Sequence, residues 1–174
     1  KALNVDDALK EGTHIGPVVD KKQFEQDESY IDIGRKEGAK LAWGGERLNR
    51  STPGFYLQPA LFTETKNDMR INREEIFGPV LSVVRAKDYE EALRLPSEHD
   101  YGNGVAIFTR DGDTARDFTS RVEVGMVGVN FAIPVPLSYY TFGGWKRSGF
   151  GDLNQHGPDS IRFYTKTKTV TARW

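Results

Sequence analysis

Short apolar segments typical of strands alternate along this chain with segments that carry the caps and periodicity of helices. The strand-like segments are 40–43, 55–63, 80–86, 104–109 and 126–130. Helices are predicted over 21–36, from Asp88 to just before Pro96, and from Asp111 to about Val122. Such alternation favours a sheet of mainly parallel strands that is covered by helices. We therefore predict an α/β fold with a mostly parallel sheet and flanking helices.

Single residues add detail to this prediction. Asp20 followed by Gln23 is the pattern of a capping box at the start of the first helix. Pro59 predicts either an edge strand or a break between two short strands. The apolar run at 80–86 predicts a strand that is buried on both faces, and Pro96 predicts the end of its helix.

Composition excludes several classes of function. The chain has 174 residues, a size that fits one domain, and a net charge of −1, which favours neither nucleic acid nor an anionic membrane. No apolar run approaches the roughly 20 residues that span a bilayer, and the first residues lack the apolar region of a signal peptide. The absence of cysteine excludes disulfides and thiolate metal sites and suits a reducing compartment, so a cytoplasmic location is expected. The opening residues resemble sequence from within a domain, so we expect the chain to be part of a longer protein.

The heptapeptide at 74–80, Glu-Glu-Ile-Phe-Gly-Pro-Val, is the strongest functional signal. Glu75 offers a carboxylate that can accept hydrogen bonds from both hydroxyls of a ribose, and Phe77 offers a ring that can pack on a planar heterocycle. Taken singly, an exposed glutamate is more often an ordinary surface residue and a phenylalanine is more often part of the core. The hypothesis of a nucleotide site therefore depends on the whole motif.

Three other features of the sequence are candidate sites. The glycine-rich segment 142–151 can cradle a phosphate beside Lys146 and Arg147, but it lacks the phosphate-loop motif, so a tight packing turn is favoured. No histidine has a second metal-type ligand at i+3 or i+4 on a convincing helix, because Gly157-Pro158 interrupts the helical face near His156. Ser138 and Ser148 lack a credible His-Asp pair, so neither a metal site nor a serine hydrolase is predicted. The apolar loop 131–141 holds two prolines and is expected to line a pocket, a channel or a partner surface.

The chain resembles the C-terminal part of the catalytic domain of NAD(P)-dependent aldehyde dehydrogenases, because a series of motifs occurs in that family's order. These motifs are Gly16-Pro17-Val18-Val19-Asp20, Glu37-Gly38-Ala39-Lys40-Leu41, Gly54-Phe55-Tyr56 with Pro59, Glu74 to Val80, Gly125 with Val127 and Asn130, Phe142-Gly143-Gly144-Trp145-Lys146, and Tyr164 to Val170. Each motif is weak alone, whereas the ordered set is specific. The resemblance implies the α/β fold of that catalytic domain over residues 1–160. It also implies an oligomerisation strand over 161–174.

The resemblance also implies roles for four residues. Glu75 would bind the hydroxyls of the nicotinamide-side ribose, and Phe77 would contact the nicotinamide. Phe142 would line the aldehyde pocket, and Asn130 would lie near the active site in a supporting role. The cofactor would be NAD or NADP, the substrate a small aldehyde, and the assembly a homo-oligomer, either a dimer or a tetramer.

The two halves of the chain resemble different branches of the family. The segments 101–110, 133–136 and 150–154 are similar to methylmalonate-semialdehyde dehydrogenases, which oxidise malonate or methylmalonate semialdehyde with NAD and pass the acyl group to coenzyme A. Residues up to about 95 are more similar to ketoglutarate-semialdehyde dehydrogenases. The sequence therefore predicts a hybrid origin.

The chain departs from the family in one decisive respect, since it has no cysteine. By the resemblance, the nucleophilic cysteine, the glutamate base and the nucleotide-binding domain all lie N-terminal to this chain. No catalytic residue is therefore assigned here, and the chain alone is predicted to be inactive as a dehydrogenase because attack on the aldehyde needs that thiol. The alternative hypothesis is a non-catalytic binding or oligomerisation module.

Overall fold

The computed structural model describes residues 2–174 and divides into two compact units, one up to Ala86 and one from Lys87. The elements of the first unit are α1 (Lys21–Lys36), β1 (Lys40–Trp43), β2 (Arg47–Leu48), β3 (Tyr56–Leu57), β4 (Ala60–Thr65), α2 (Arg70–Arg73) and β5 (Val80–Val84). Those of the second unit are α3 (Tyr89–Ser97), β6 (Tyr101–Gly102), β7 (Gly104–Ile107), α4 (Gly112–Arg121), β8 (Met126–Val129), β9 (Trp145–Lys146) and α5 (Asp159–Tyr164). The predicted helices and strands up to 130 are present, which confirms the α/β class.

The strand pairing is mixed, whereas a mostly parallel sheet was predicted. In the first unit β4 lies between β1, which is antiparallel to it, and β5, which is parallel to it; β2 and β3 form an antiparallel pair. In the second unit β7 and β8 are parallel, and β6 and β9 are antiparallel. In each parallel pair the direct connection from one strand to the next contains a helix, because a parallel pair needs a crossover connection.

Helix α1 begins where the sequence predicts. The Asp20 Oδ1 atom accepts a hydrogen bond from the Gln23 backbone N–H at 2.8 Å, which satisfies one free donor of the first turn. The Gln23 side chain does not complete the capping box, however. Its amide turns away from the helix start and donates to the carbonyl of Ile76 at 2.9 Å.

Each unit has a buried apolar core. In the first, Phe62 of the central strand β4 has no exposed surface, and Phe24 and Ile31 of α1 pack in the same cluster. In the second, Leu93 of α3 and Phe118 of α4 pack with Val122 and Val124 beside β7 and β8. Phe24 and Ile31 reach the same core because residues spaced seven apart share a helix face.

Several predictions based on single residues need correction. Pro59 separates β3 from β4, which is one of the two predicted outcomes. Strand β5, however, is not buried on both faces: its side chains alternate between the faces, so Val80 packs against the core while Leu81, on the other face, is 62% exposed. Helix α3 includes Pro96 and ends at Ser97. Proline removes only one N–H, and the Ser97 hydroxyl and the Glu98 N–H still donate to the preceding turn of the helix.

The end of the chain also differs from its prediction. Asp159–Tyr164 forms helix α5, so the predicted strand over 161–174 does not begin at 161. Residues 165–174 are exposed and belong to no helix or strand. A sheet-extending strand needs a neighbouring strand to supply its hydrogen bonds, and none is paired with this segment in residues 2–174. None of the helices in that range is long and apolar enough to cross a bilayer.

Candidate cofactor site

The loop between α2 and β5 carries the heptapeptide and is anchored by its first residue, Glu74. Both carboxylate oxygens of Glu74 are bonded to the Arg70 guanidinium at 2.9 Å, and the Tyr30 hydroxyl donates to Oε2 at 2.6 Å. These hydrogen bonds, first that from Arg70 and then that from Tyr30, lower the pKa of Glu74 to about 2. The Glu74 carboxylate therefore anchors the loop, whereas the neighbouring Glu75 carboxylate is available to bind a ligand.

The pH dependence of stability should reveal this anchor. The pKa of Glu74 is about 2 in the folded chain against 4.5 for the free residue, so its stabilising contribution is complete above pH 4.5 and is lost as the pH falls toward 2. We expect Glu74→Gln to lower the urea midpoint at pH 7 and to lower it less at pH 3. The midpoints of the wild type and the variant, measured from pH 7 to 3, check this. A constant difference across that range would contradict it.

Glu75 and Phe77 are exposed on either side of a buried residue, Ile76, which belongs to the core of the first unit. The Glu75 carboxylate has no hydrogen bond or ion pair within the part of the chain that the structure describes. The Phe77 side chain is 82% exposed, and its backbone has a φ of 60°, in the left-handed region that a phenylalanine rarely adopts. Strained residues of this kind cluster at ligand sites.

Phe77 lines a cavity of about 300 Å³ together with a distant sequence motif. The other walls include Gly16, Pro17, Val18 and Val19 from the loop that precedes α1, and Gly78 and Pro79 from the heptapeptide itself. Two of the family motifs, far apart in sequence, therefore meet at one cavity. The fold gives the ring of Phe77 an open, mostly apolar space beside it, which suits a planar ligand.

Side chains of α1 that the sequence motifs do not identify also hold this loop. Gln23 and Gln26 both donate side-chain N–H groups to the carbonyl of Ile76, at 2.9 and 3.0 Å. Asp27, one residue further along, has no exposed surface and lines the same cavity. A signal was present, because all three residues lie within one turn of the buried Phe24, but Gln23 was interpreted as part of a cap.

In the second unit, Asn130 is used by the backbone beside it. Its side-chain Nδ2 donates to the carbonyl of Thr109 and its Oδ1 accepts from the N–H of Thr109, both at 2.9 Å. This amide continues the ladder of β7 and β8 by one further pair of bonds after the strands end. Asn130 also has a φ of 55°, which asparagine tolerates better than most residues.

Phe142 begins the glycine-rich turn and is 37% exposed. Its ring packs edge-on against His156, with 5.3 Å between ring centroids. The Nζ atom of Lys146 donates to the carbonyls of Pro96 and Ser97, at 3.1 and 2.8 Å, and so caps the end of α3. These contacts favour a packing turn over a phosphate cradle.

The predicted site residues thus occur as two pairs. Glu75 and Phe77 share one loop of the first unit, and Asn130 and Phe142 belong to the second. Within residues 2–174 no group of three or more His, Asp or Glu side chains is placed to hold a metal ion.

Comparison with known proteins decides the family. The model of the aldehyde dehydrogenase family matches residues 1–170. The chain belongs to the aldehyde dehydrogenase family. This confirms the resemblance drawn from the ordered motifs, and among known members the similarity is high to proteins that are named for semialdehydes.

The malonate-semialdehyde dehydrogenase of Pseudomonas aeruginosa is 48% identical to this aldehyde dehydrogenase chain over 176 residues, which cover 100% of the chain and 35% of the relative. A crystal structure described as a methylmalonate-semialdehyde dehydrogenase from Sinorhizobium meliloti, complexed with NAD, has a TM-score of 0.94 and 56% sequence identity to this chain. The match covers 99% of this chain and 36% of the Sinorhizobium meliloti chain. The methylmalonate-semialdehyde dehydrogenase of Oceanimonas doudoroffii has a TM-score of 0.93 and 45% identity, again over 99% and 36%.

These relatives match the aldehyde dehydrogenase chain almost from end to end. The chain in turn spans only about 35% of the length of the curated relative and 36% of each of the two solved structures. The hybrid origin stays a prediction.

Proposed function

We propose that this chain is part of an NAD-dependent dehydrogenase that oxidises a short-chain semialdehyde of the malonate or methylmalonate type. In this enzyme Glu75 and Phe77 contact the nicotinamide half of the cofactor. The observation that carries the proposal is the pairing of an exposed, strained Phe77 at a cavity with an exposed Glu75 that has no partner within residues 2–174. The names of the relatives and the NAD in the Sinorhizobium meliloti structure support it.

The residues present fit a nicotinamide riboside. The two oxygens of the Glu75 carboxylate match the two hydroxyl donors of a ribose, and charge-assisted hydrogen bonds of this type are the strong ones. The ring of Phe77 offers a flat apolar surface two residues away, and the cavity of about 300 Å³ beside it leaves room for a planar group. NAD, when bound, supplies the hydride acceptor for aldehyde oxidation.

The chain's own residues bind and orient, and the nucleophile comes from elsewhere. Oxidation through an acyl-enzyme needs a thiol to attack the aldehyde, and this chain has no cysteine. We propose that the rest of the enzyme supplies that thiol, that Phe142 forms part of the aldehyde pocket, and that Asn130 supports it. We also propose coenzyme A as the acyl acceptor, and a homo-oligomer whose contacts include the 165–174 tail.

A titration of the purified chain with NAD tests the cofactor contact. We expect the wild type to bind and Glu75→Gln to bind about 10-fold to 100-fold more weakly, because the neutral amide loses a charge-assisted pair of hydrogen bonds. Glu46→Gln, the same change at another exposed position of the first unit, should bind like the wild type. Equal affinity of Glu75→Gln and the wild type would exclude the assigned contact. With propanal and NAD, the chain alone should produce no NADH.

A second candidate function is a non-catalytic binding or oligomerisation module. Its supporting observation is the exposure of the apolar side chains in the loop 131–141, which are Phe131, Ile133, Val135, Leu137, Tyr139 and Tyr140. Clusters of exposed apolar side chains can mark interaction surfaces. The NAD titration separates the two candidates, because a folded wild type that does not bind NAD favours the module.

A further inference from the structure

Asp27 of α1 is a buried carboxylate with an incomplete set of hydrogen bonds. It has no exposed surface, its Oδ1 accepts from the Gln23 amide at 2.7 Å, and its Oδ2 has no hydrogen-bond partner within residues 2–174. Burial raises the pKa of this carboxyl group. A polar group in such a place is costly, and an apolar residue would fill the same volume without the penalty. A carboxylate that is kept at this buried position therefore indicates a specific role for Asp27.

The carboxylate lies directly against Gly78 of the heptapeptide. A Cβ atom at position 78 would lie 2.1 Å from Oδ1 and 2.5 Å from Oδ2 of Asp27. The three atoms nearest to that position all belong to the Asp27 carboxylate. Glycine at 78 thus allows the loop to approach Asp27 more closely than any other residue would.

Asp27 also orients the amide that holds the loop. The Nε2 atom of Gln23 has two hydrogens; Asp27 Oδ1 accepts at 2.7 Å and the Ile76 carbonyl accepts at 2.9 Å, with the Phe77 carbonyl further away at 3.4 Å. An acceptor at Asp27 keeps the nitrogen of the amide, and not its oxygen, toward the loop. Gln23, oriented by Asp27, therefore contacts the peptide groups on both sides of Phe77 through their carbonyl oxygens.

Phe77 itself cannot supply this restraint. Its ring is 82% exposed, so few contacts of its own hold the left-handed backbone conformation, with a φ of 60°. A strained residue keeps its conformation only where the surroundings impose it. Ile76 is held in the core beside Phe24 and Ile31 of α1, and the polar contacts from α1 to the turn include those of Gln23, Gln26 and Asp27.

We propose that the half-buried Gln23 and the buried Asp27 form a clamp that fixes the turn at residues 76–78 and thereby sets the direction of the Phe77 ring at its cavity. Asp27 is then a positioning residue that acts through the loop. The purpose assigned to the ring rests on the proposed function, whereas the clamp itself is a statement about the folded chain alone.

The contact between Asp27 and Gly78 is tested by a double-mutant cycle. Gly78→Ala should lower the urea midpoint by about 1 M, because the new Cβ overlaps the carboxylate. The Asp27→Ala substitution removes all three overlapping atoms. In that background, Gly78→Ala should lower the urea midpoint by less than half as much. Equal costs in the two backgrounds would overturn the contact.

The direction of the ring needs a spectroscopic measurement that does not involve NAD. With 4-fluorophenylalanine placed at position 77, the wild type should give one narrow ¹⁹F resonance. Asp27→Ala and Gln23→Met should shift or broaden it toward the signal of the urea-unfolded chain, and Asp27→Asn, which keeps the acceptor and the shape, should leave it in place. An unchanged resonance in Gln23→Met and Asp27→Ala would overturn the clamp. Should Asp27→Ala fail to fold, Gln23→Met decides alone.

NAD affinity then separates the clamp from the proposed function. If both hold, Asp27→Ala should bind NAD at least about 5-fold more weakly, and Asp27→Asn should bind like the wild type. A ¹⁹F response without any NAD binding by the wild type keeps the clamp and rejects the cofactor contact. NAD binding that Glu75→Gln weakens, combined with an unresponsive ¹⁹F signal, rejects the clamp and keeps the contact.

Discussion

Phe62→Ala is expected to lower the free energy of unfolding of the first unit by about 3–5 kcal/mol, the usual cost of deleting a buried phenylalanine. Phe62 has no exposed surface and lies on β4, between β1 and β5. Its ring reaches α1, where a Cβ at Gly34 would lie 3.0 Å from Cζ. The helix and the sheet are thus in contact through this ring, and the cavity left by alanine cannot close without moving one of them. Urea unfolding followed by circular dichroism measures the loss.

The same substitution at Phe77 is the matched control within this unit. Because the Phe77 side chain is 82% exposed, Phe77→Ala should change the free energy of unfolding by less than about 1 kcal/mol. A compensating change should also work: Gly34→Ala in the Phe62→Ala background should recover about 1 kcal/mol, because the new methyl enters the vacated space and alanine favours the helix. Equal losses for Phe62→Ala and Phe77→Ala would contradict this description of the core.

The parts of the fold that sequence predicts well are those set by local chemistry. Each of the three longest helices begins with an aspartate whose side chain accepts from the backbone three residues later; these are Asp20, Asp88 and Asp111, at 2.8, 2.8 and 2.6 Å. Donor and acceptor lie within one turn of each other, so the pattern is visible in a short window. Pro59 likewise acts on its own strand and ends it where predicted.

The failures concern partners that lie far apart in sequence. The antiparallel pairing of β1 with β4 depends on how the chain returns after β3, and the exposure of Leu81 depends on which face of the sheet packs against the core. The start of the predicted tail strand is wrong because 159–164 is helical, whereas pairing of 165–174 across subunits stays a prediction, since a strand forms only beside a partner strand. Periodicity within a segment carries no information on any of these.

The candidate site shows the same division. The motif predicted Glu75 and Phe77 as a functional pair, and the structure adds that the intervening Ile76 is buried while both neighbours are exposed. The contact of Asp27 with Gly78 could not be predicted, because α1 and the loop are brought together only by the fold; Gln23 and Ile76 are 53 positions apart. Asn130, similarly, has its bonding partner Thr109 in the segment that follows the neighbouring strand β7.

Gly125→Ala is the substitution in the second unit with the largest expected effect. A Cβ at this position would lie 2.1 Å from the carbonyl oxygen of Gly143 and 3.1 Å from the Cα of Gly144. These are backbone atoms, so no side chain can turn aside to make room. We expect a loss of about 3 kcal/mol, or a displaced turn at 143–148, since overpacking against backbone is relieved only by moving the chain.

The displacement should reach the Phe142 ring, because Phe142 directly precedes Gly143 in the chain. Amide hydrogen exchange measures it: the N–H groups of Arg147 and Ser148, which donate to the carbonyls of Asp100 and Trp145 at 3.1 and 3.0 Å, should exchange faster in Gly125→Ala. Gly112→Ala is the control, because a Cβ there meets no atom within 4 Å and alanine suits the first turn of α4. Unchanged protection of Arg147 and Ser148 in Gly125→Ala, with wild-type stability, would show that the glycine-rich turn does not depend on this close approach. The position of the Phe142 ring would then have to be set by His156, whose ring packs against it.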